Sequence, residues 1–289
     1  MLTLWYAPGV AGTLYVVATP IGNLGDITLR AIETLRSVSR VLAEDTRRSL
    51  ALLSHLGIGG KPVDRLDAHA PEAALARAAD RLEAGEDIAL VTDAGTPIVS
   101  DPGTALVRLA AARGLRVVPI PGASAVLAAV CASGIVNGAF RFVGFLPRSG
   151  PERRAALEKI ASDVDPIVLF ESPERTTDTL RALAEIGPSR PAVVARELTK
   201  MHEELVRGAI SEIAALQREW VGEVTIVLGE GDGGVGEPAI DDAEIDRRID
   251  EALDKNRRAR DIAEELALVL RVPKKDVYTR VVKRREGRS

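Results

Sequence analysis

The fold of this chain is constrained most by a regular alternation of short β-branched segments with helical patterns along its first half. Segments with the composition of buried strands are Leu14–Ala18, Arg40–Ala43, Asp87–Thr92 and Arg116–Ile120. Segments with the spacing of amphipathic helices are Leu29–Val38, Arg48–Leu56, Pro71–Ala84 and Pro102–Arg113. This alternation predicts a mainly parallel sheet, because parallel neighbours need a helical crossover. We expect ligands at the carboxyl ends of its strands.

The second half predicts another α/β domain, with more hairpin character. Its predicted strands are Phe140–Phe145, Ile167–Phe170, Ala192–Arg196 and Glu223–Leu228. Its predicted helices are Pro151–Ala161, Thr176–Ile186 and Ile210–Glu219. We predict domain limits of 12–122 and 123–231 for the two α/β domains, both of which belong to the α/β fold class.

A glycine-rich segment, Gly229–Glu237, follows the last predicted strand. It formally matches the pattern GxGxxG, but a dinucleotide-binding fingerprint opens a helix, whereas more glycine and Pro238 follow here. We therefore interpret this segment as a flexible linker, with limits of 232–240.

Residues 241–289 predict a small helical domain. An acidic helix, Asp241–Asp254, precedes two helices, Ala259–Leu270 and Lys274–Arg285, which a short turn joins. Two short helices joined in this way resemble a helix-turn-helix, and an ordinary solvated helical hairpin is the alternative. From Lys255 to Ser289 there are twelve Lys or Arg and five Asp or Glu. This local positive charge favours a nucleic-acid partner over the alternative.

Composition limits the class of protein and of chemistry. The only cysteine, Cys131, lies in an apolar run, so we expect a buried structural thiol, no disulfide and a reducing compartment. The three histidines lack the spacing of metal ligands, and we expect no metal site. Because no apolar stretch is long enough to cross a bilayer and the start lacks a basic leader, we predict no membrane association and a cytoplasmic location.

Four loops lie where a parallel sheet would place a ligand: Thr19–Asp26, Glu44–Arg47, Asp93–Gly103 and Pro121–Ser124. The first has glycines that allow close backbone approach but lacks the Lys-Ser/Thr pair of a triphosphate-binding loop. In the third, Asp101 and Pro102 predict the N-cap and first residue of a helix, which leaves Asp93 as a candidate for function.

These loops carry motifs that identify a resemblance. In order along the chain they are TPIGNLGD, AEDTR, TDAGTPIVSDPG, PGASA, FVGFLPR, FESPER and ARELTK. Together they resemble the bacterial 16S rRNA 2′-O-methyltransferase I family, a branch of the tetrapyrrole-methylase superfamily. The resemblance covers roughly Gly12 to Gly229 together with the helical tail.

The resemblance implies a class III methyltransferase fold of two α/β domains that hold S-adenosyl-L-methionine (SAM) in the cleft between them. It also implies a homodimer, and as substrate the 2′-OH of a cytidine in the decoding centre of 16S rRNA in the 30S subunit. The positions that it assigns to cofactor binding are Pro20, Ile21, Gly22, Gly95, Thr96, Ile98, Ala123, Ser124, Glu171, Ser172, Glu197, Leu198 and Thr225. Thr96 stands where the superfamily has an acidic residue.

A ribose 2′-OH is a weak acid, so a base or a strong hydrogen-bond acceptor should assist its attack. The candidates are Asp45, Asp93 and Lys200, and a structural salt bridge is the alternative for each. The candidates for binding RNA are Arg47, Arg175, Lys274, Lys275, Arg280, Lys283 and Arg284.

Two alternatives remain open at the level of sequence. A tetrapyrrole C-methyltransferase of the precorrin type would have the same fold, although the basic tail speaks against it. A non-enzymatic regulator would bind nucleic acid through its tail and sense a ligand in its α/β part.

Overall fold

The computed structural model describes residues 11–67, 70–97, 103–231, 242–254, 257–270 and 274–286. The chain divides into two compact units, one up to Asp232 and one from Gly233. Both α/β sheets lie in the first unit. The finer division of this unit into 12–122 and 123–231 stays a prediction, and the predicted linker 232–240 lies outside the described residues.

The first sheet has five strands: β1 (Thr13–Val17), β2 (Arg40–Ala43), β3 (Val63–Arg65), β4 (Ile88–Val91) and β5 (Arg116–Ile120). Their order is β3-β2-β4-β1-β5, and every pair is parallel. The helices between them are α1 (Leu29–Ser37), α2 (Thr46–His55), α3 (Glu72–Glu83) and α4 (Thr104–Ala112). Separate apolar clusters pack on the two faces of the sheet, as is usual where helices cover both sides.

The second sheet also has five strands: β6 (Arg141–Phe145), β7 (Ile167–Glu171), β8 (Pro191–Arg196), β9 (Glu204–Ala209) and β10 (Val224–Leu228). Their order is β6-β7-β10-β8-β9, with β6 and β7 parallel and the other pairs antiparallel. The helices are α5 (Ala125–Ser133), α6 (Gly150–Ser162), α7 (Pro173–Ile186) and α8 (Ile210–Ala214). Helix α5 packs on one face of this sheet, and α6, α7 and α8 pack on the other.

The predicted α/β class and the hairpin character of the second half are confirmed, but several details were wrong. Strands β3 and β9 were missed, since both lie at a sheet edge and lack a strong apolar pattern. The helix predicted over Ile210–Glu219 ends at Ala214. In the segment that follows, Arg218 pairs with Glu204 and stacks 4.5 Å over the ring of Trp220, which is buried.

Two further expectations fail for local reasons. Helix α4 begins at Thr104 and its N-cap is Gly103, with a φ of +122° that favours a residue without Cβ, so the predicted cap at Asp101 is wrong. Asp101 and Pro102 themselves lie outside the described residues. Cys131 is exposed on α5, because the inward face of that helix is formed by Val126 and Ala129 instead.

The second unit contains three helices: α9 (Asp242–Asp254), α10 (Ala259–Leu270) and α11 (Lys274–Glu286). All three contribute to one apolar cluster, which includes Ile249, Ile262 and Val281. The predicted boundaries agree to within one residue, and the acidic α9 shares its apolar core with the two helices that follow. No helix in the described parts of the chain is long and apolar enough to cross a membrane.

Candidate functional site

A cavity of about 390 Å³ lies between the two sheets of the first unit. The residues that line it from the side of the first sheet include Ile21, Ala94, Gly95 and Thr96. Those from the side of the second sheet include Ser124, Phe145, Phe170, Glu171, Ser172, Glu223 and Thr225. Its size falls in the range of small-molecule sites, and its lining is mainly apolar side chains with a few hydroxyl groups.

Two loops of the first sheet are joined beside the cavity by backbone hydrogen bonds. The amide of Thr19 donates to the carbonyl of Gly95 over 2.9 Å, and the amide of Gly95 donates to the carbonyl of Thr19 over 3.0 Å. The hydroxyl of Thr96 donates to the carbonyl of Ala123, which ties in the loop after β5. Gly95 has a φ of +83°, and a Cβ there would lie 3.2 Å from the side chain of Ile21. The loops after β1, β4 and β5 are therefore held in one fixed arrangement.

A second connection crosses from the first sheet to the second. The backbone amide of Asn23 donates to the hydroxyl oxygen of Thr199 over 3.1 Å. The side chain of Lys200 lies over Gly22 so closely that a Cβ on Gly22 would be only 2.9 Å from its Cε atom. Glycine is required at this position because the approach leaves no room for a side chain.

The loop that makes this connection has an unusual backbone. Glu197 has a φ of +50° and Thr199 a φ of +68°, whereas every other residue with positive φ in the described chain is a glycine. Such a conformation is rare for a β-branched residue and is retained only where the surroundings impose it. The Glu197 carboxylate accepts hydrogen bonds from Lys200 Nζ over 2.8 Å and from the amide of Glu223 over 2.9 Å.

These contacts determine the charge of Lys200. Burial by itself lowers the pKa of Lys200, but its hydrogen bond to Glu197 and the nearby charge of Glu223 prevail, so that the pKa is raised. The hydrogen bond from Lys200 and that from the Glu223 amide lower the pKa of Glu197. Lys200 is therefore an ammonium group at neutral pH, which suits binding an anion better than accepting a proton.

The two predicted carboxylates, Asp45 and Asp93, lie together at the start of α2 and are not among the residues that line the cavity. Asp93 accepts a hydrogen bond from the amide of Asp45 over 2.9 Å and forms an ion pair with Arg48. Asp45 is the N-cap of α2 and accepts from the amide of Arg47 over 2.8 Å. The pKa of Asp45 is lowered, chiefly by a hydrogen bond from the Arg47 side chain. Both carboxylates thus have structural partners.

The carboxylate of Glu171 lies in a buried network beneath the cavity. It accepts hydrogen bonds from the amide of Ser172, from the hydroxyl of Thr179 over 2.6 Å and from Arg175 over 3.2 Å. Arg175 also donates to the carbonyl of Leu146 over 2.7 Å. The sequence suggested Arg175 as an RNA contact, but its guanidinium is engaged inside the fold, where it fixes the ends of β6 and β7.

The basic residues predicted for RNA binding differ in their exposure and in their pairing with carboxylates. Arg47 is 89% exposed, although it pairs with Asp45. Arg284 forms ion pairs with Asp246 and Asp250 of α9 at 2.9 and 3.0 Å, and Arg280 pairs with Asp246. The acidic helix thus neutralises part of the charge that made α11 look basic.

Seven of the predicted cofactor residues line the cavity: Ile21, Gly95, Thr96, Ser124, Glu171, Ser172 and Thr225. Pro20, Gly22 and Ala123 do not line it but are sequence neighbours of residues that do. Glu197 and Leu198 do not line it either; Glu197 accepts a hydrogen bond from the lining residue Glu223, and Leu198 packs in the same apolar cluster as Ile21. Ile98 lies outside the described residues. Sequence reasoning missed Phe145 and Phe170, although both belong to motifs that carried the resemblance, FVGFLPR and FESPER. Among described residues, no group of three or more His, Cys, Asp or Glu could hold a metal ion.

Comparison with known proteins identifies the family. Residues 13–214 match the family model of the Tetrapyrrole (Corrin/Porphyrin) Methylases. Three curated relatives bear the name "Ribosomal RNA small subunit methyltransferase I". That of Halalkalibacterium halodurans is 40% identical over 92% of this chain and 93% of its own. That of Micromonospora olivasterospora is 42% identical over 94% and 87%, and that of Bacillus subtilis 38% identical over 92% and 93%.

Solved structures of lower identity share the fold. A diphthine synthase superposes with a TM-score of 0.58 at 19% identity, covering 75% of this chain and 90% of its own. A uroporphyrin-III C-methyltransferase from Thermus thermophilus, complexed with S-adenyl homocysteine, gives a TM-score of 0.53 at 20% identity, covering 76% and 98%. The chain therefore belongs to the tetrapyrrole methylase family and, within it, to the family of ribosomal RNA small subunit methyltransferase I.

Proposed function

We propose that this chain catalyses SAM-dependent methylation of small-subunit ribosomal RNA, at the 2′-OH of a cytidine in the decoding centre. One observation carries the proposal. Relatives with this name match at 38–42% identity over more than nine tenths of this chain, including both sheets and the helical unit. The tetrapyrrole C-methyltransferases, by contrast, are distant relatives that share only the fold.

The cavity fits SAM in size and in the character of its lining. Its walls offer apolar surface from Ile21 and Val126, hydroxyl groups from Thr96 and Ser124, and the backbone of Gly95. The hydrogen bonds between the loops after β1 and β4 hold these groups in place before a ligand binds, and such preorganisation reduces the cost of ordering. This arrangement agrees with cofactor binding through main-chain groups rather than through a GxGxxG turn.

SAM, when bound, would supply an electrophilic methyl carbon on a sulfonium, whose C–S bond would break and whose thioether would leave as an oxygen nucleophile attacks in line. The main task of the protein is then to hold the donor and the ribose oxygen at attacking distance, since alignment of this kind accounts for much of a rate enhancement. The hydrogen bond from the Asn23 amide to the Thr199 hydroxyl oxygen joins the two sides of the cleft and so contributes to that alignment.

The protonated Lys200 is suited to bind a phosphate of the RNA close to the cleft. Asp45 and Asp93 remain proposals for the group that accepts the proton of the 2′-OH. Of the predicted RNA contacts, we retain the exposed Arg47 in the first turn of α2 and the basic residues of α11, which include Lys274, Lys275 and Lys283. We further propose a cytoplasmic location, where a ribosomal substrate is found, and a homodimer, which the family resemblance implies.

The proposal is tested with the purified full chain. Calorimetry should detect SAM binding, and radiolabelled methyl groups should pass to assembled 30S subunits or to naked 16S rRNA but not to a uroporphyrinogen. Mapping of 2′-O-methyl sites then identifies the nucleotide. Transfer to the tetrapyrrole alone would establish the alternative C-methyltransferase. SAM binding without transfer to either RNA substrate would favour a regulator and contradict the proposal.

A further inference from the structure

The end of β6 has an irregularity that determines the direction of Phe145. The register between β6 and β7 shifts between Phe142 and Gly144, and Gly144 has a φ of +70°. In a regular strand, side chains three residues apart lie on opposite faces of the sheet. A bulge breaks this alternation and redirects the side chains that follow. As a result, Phe142 and Phe145 both contact the same ring, that of Phe170.

The three rings form an aromatic platform at the cavity. The ring of Phe170 lies 5.0 Å from that of Phe142, edge to face, and 5.5 Å from that of Phe145, measured between centroids. Phe145 and Phe170 both line the cavity, and Phe145 nevertheless remains 58% exposed. All four phenylalanines of the chain lie in β6, in β7 or directly before β6, since the fourth is Phe140. The concentration of aromatic surface here is therefore a local feature of the cleft.

The exposed ring is not explained by packing within the protein. The ring of Phe170 supports it from one side, so its free face is fixed in direction and accessible. Phe170, which lines the same cavity, is only partly exposed. Because more than half of Phe145 is exposed, it lies at the mouth of the cavity rather than in its depth. The platform therefore lies where a substrate that enters the cavity from solvent would meet it.

A free positive charge follows on the same loop. Arg148 is exposed, three residues after Phe145, and forms no ion pair with any residue that the structure describes. An exposed aromatic face and an unpaired guanidinium three residues further along the chain can together bind an unstacked nucleotide, with the ring against the base and the charge at the phosphate.

We propose that Phe145 stacks on the base of the nucleotide to be methylated and that Arg148 binds its backbone phosphate. This inference rests on the proposed function and names residues that would place the ribose at the methyl donor. A base can stack in this way only when it has left its own helix, so the RNA substrate must present its target nucleotide unstacked.

The test compares two substitutions of similar size. Phe145→Tyr keeps the ring, whereas Phe145→Leu keeps an apolar side chain without an aromatic face. We expect Phe145→Leu to raise the KM for RNA substrate and the dissociation constant for 30S subunits roughly tenfold, as loss of one stacked base does. In Phe145→Tyr, the KM for RNA and the dissociation constant for 30S subunits should both stay within about twofold of the wild-type values. Calorimetry should show a clearly smaller loss of SAM affinity than of RNA affinity in Phe145→Leu.

Arg148→Gln has a matched control in Arg154→Gln, since Arg154 is exposed on α6 but paired with Glu158. The first change should weaken RNA binding and reduce the slope of log affinity against log salt by about one, and the second should not. Thermal unfolding of all variants verifies that they are folded.

Several results would overturn the inference. One is a wild-type KM and 30S affinity in Phe145→Leu while the wild-type enzyme methylates RNA. Another is a loss of SAM affinity equal to the loss of RNA affinity, because Phe145 would then belong to the cofactor pocket. Failure of the proposed function is a different result, in which the wild-type protein itself transfers no methyl group to RNA.

Discussion

The amide of Asn23 donates a hydrogen bond to the hydroxyl oxygen of Thr199 over 3.1 Å, and this bond joins a loop of the first sheet to a loop of the second. Thr199 makes it from a left-handed backbone conformation with a φ of +68°. Its own amide donates to the Glu203 carboxylate over 2.6 Å, which helps to hold that conformation. A strained residue whose side chain links the two sides of a cleft is a candidate for controlling its width.

The role of this hydroxyl is tested by Thr199→Val and Thr199→Ser. Valine keeps the β-branched shape but cannot accept the hydrogen bond, whereas serine keeps the hydroxyl. We expect Thr199→Val to lose about 1 kcal/mol of unfolding free energy and to bind SAM several-fold more weakly, as loss of one hydrogen bond does. Thr199→Ser should resemble wild type in both measurements. Equal SAM affinities in the two variants would show that the bond does not act on the cleft.

Gly22 provides a second test of the same contact. The Cβ of Gly22→Ala would collide with the Lys200 side chain and displace it from Glu197 and Glu223. We expect weaker SAM binding in Gly22→Ala and partial recovery in the double variant Gly22→Ala/Lys200→Ala, because the obstacle is then absent. Calorimetry measures both effects.

The matched control for the glycine test is Gly59→Ala, since no atom lies within 4 Å of a Cβ placed there. It should bind SAM as wild type does. Independent, additive effects of the Gly22 and Lys200 substitutions would contradict the predicted collision.

Asp45 is the N-cap of α2 and a proposed catalytic base, and two substitutions separate these two roles. Asparagine is as good an N-cap as aspartate, so Asp45→Asn should retain wild-type stability, whereas Asp45→Ala should lose about 1 kcal/mol. Chemical denaturation measures this difference. If Asp45 is also the base, the kcat of the stable Asn variant falls by about 10²- to 10⁴-fold. Wild-type turnover in Asp45→Asn would remove it as a candidate.

The carboxylate of Glu204, in β9 of the second sheet, should make the free energy of unfolding depend on pH in the acid range. Hydrogen bonds from Arg218 and then from Arg196 lower its pKa from 4.5 to about 2. A carboxyl group with a lowered pKa stabilises the folded state above its unfolded pKa, and this stabilisation disappears as the pH falls through the folded value. The wild type should therefore lose unfolding free energy between about pH 4.5 and pH 2 relative to Glu204→Gln.

The size of this effect is reduced because the Glu204 side chain is 38% exposed and screened by solvent. We expect a difference on the order of 1 kcal/mol at neutral pH, measured by urea unfolding across the pH range. The same acid profile in wild type and Glu204→Gln would contradict the prediction.

Lys283 tests the contribution of α11 to RNA binding. Its side chain is exposed, whereas Arg284 is paired with Asp246 and Asp250. Lys283→Glu should weaken binding to 30S subunits and reduce its salt dependence by about one phosphate contact, as measured by a salt titration. Lys159→Glu on α6 changes the net charge equally and should have little effect. Equal weakening in both variants would point to net charge rather than a contact by this helix.

Four of the five strands of the first sheet, the helices that alternate with them and the limits of the tail helices could be predicted from the sequence alone. Buried parallel strands are continuous apolar runs, such as Ile88–Val91, and each amphipathic helix repeats its apolar positions with a fixed period. These patterns are local, so they can be read without knowledge of distant contacts. The motifs after the strands likewise identified the family and seven residues of the cavity lining.

Only the tertiary structure decided how side chains far apart in sequence are used. Arg175 and Arg284 look like free cations in the sequence, but Glu171 and Asp250 engage them in the fold. Phe145 faces the cleft because a bulge reverses the alternation of its strand. The left-handed conformation of Thr199 is imposed by partners on other segments. Local periodicity determines which elements form, whereas ion pairs, bulges and strained turns depend on contacts that exist only after the elements have packed.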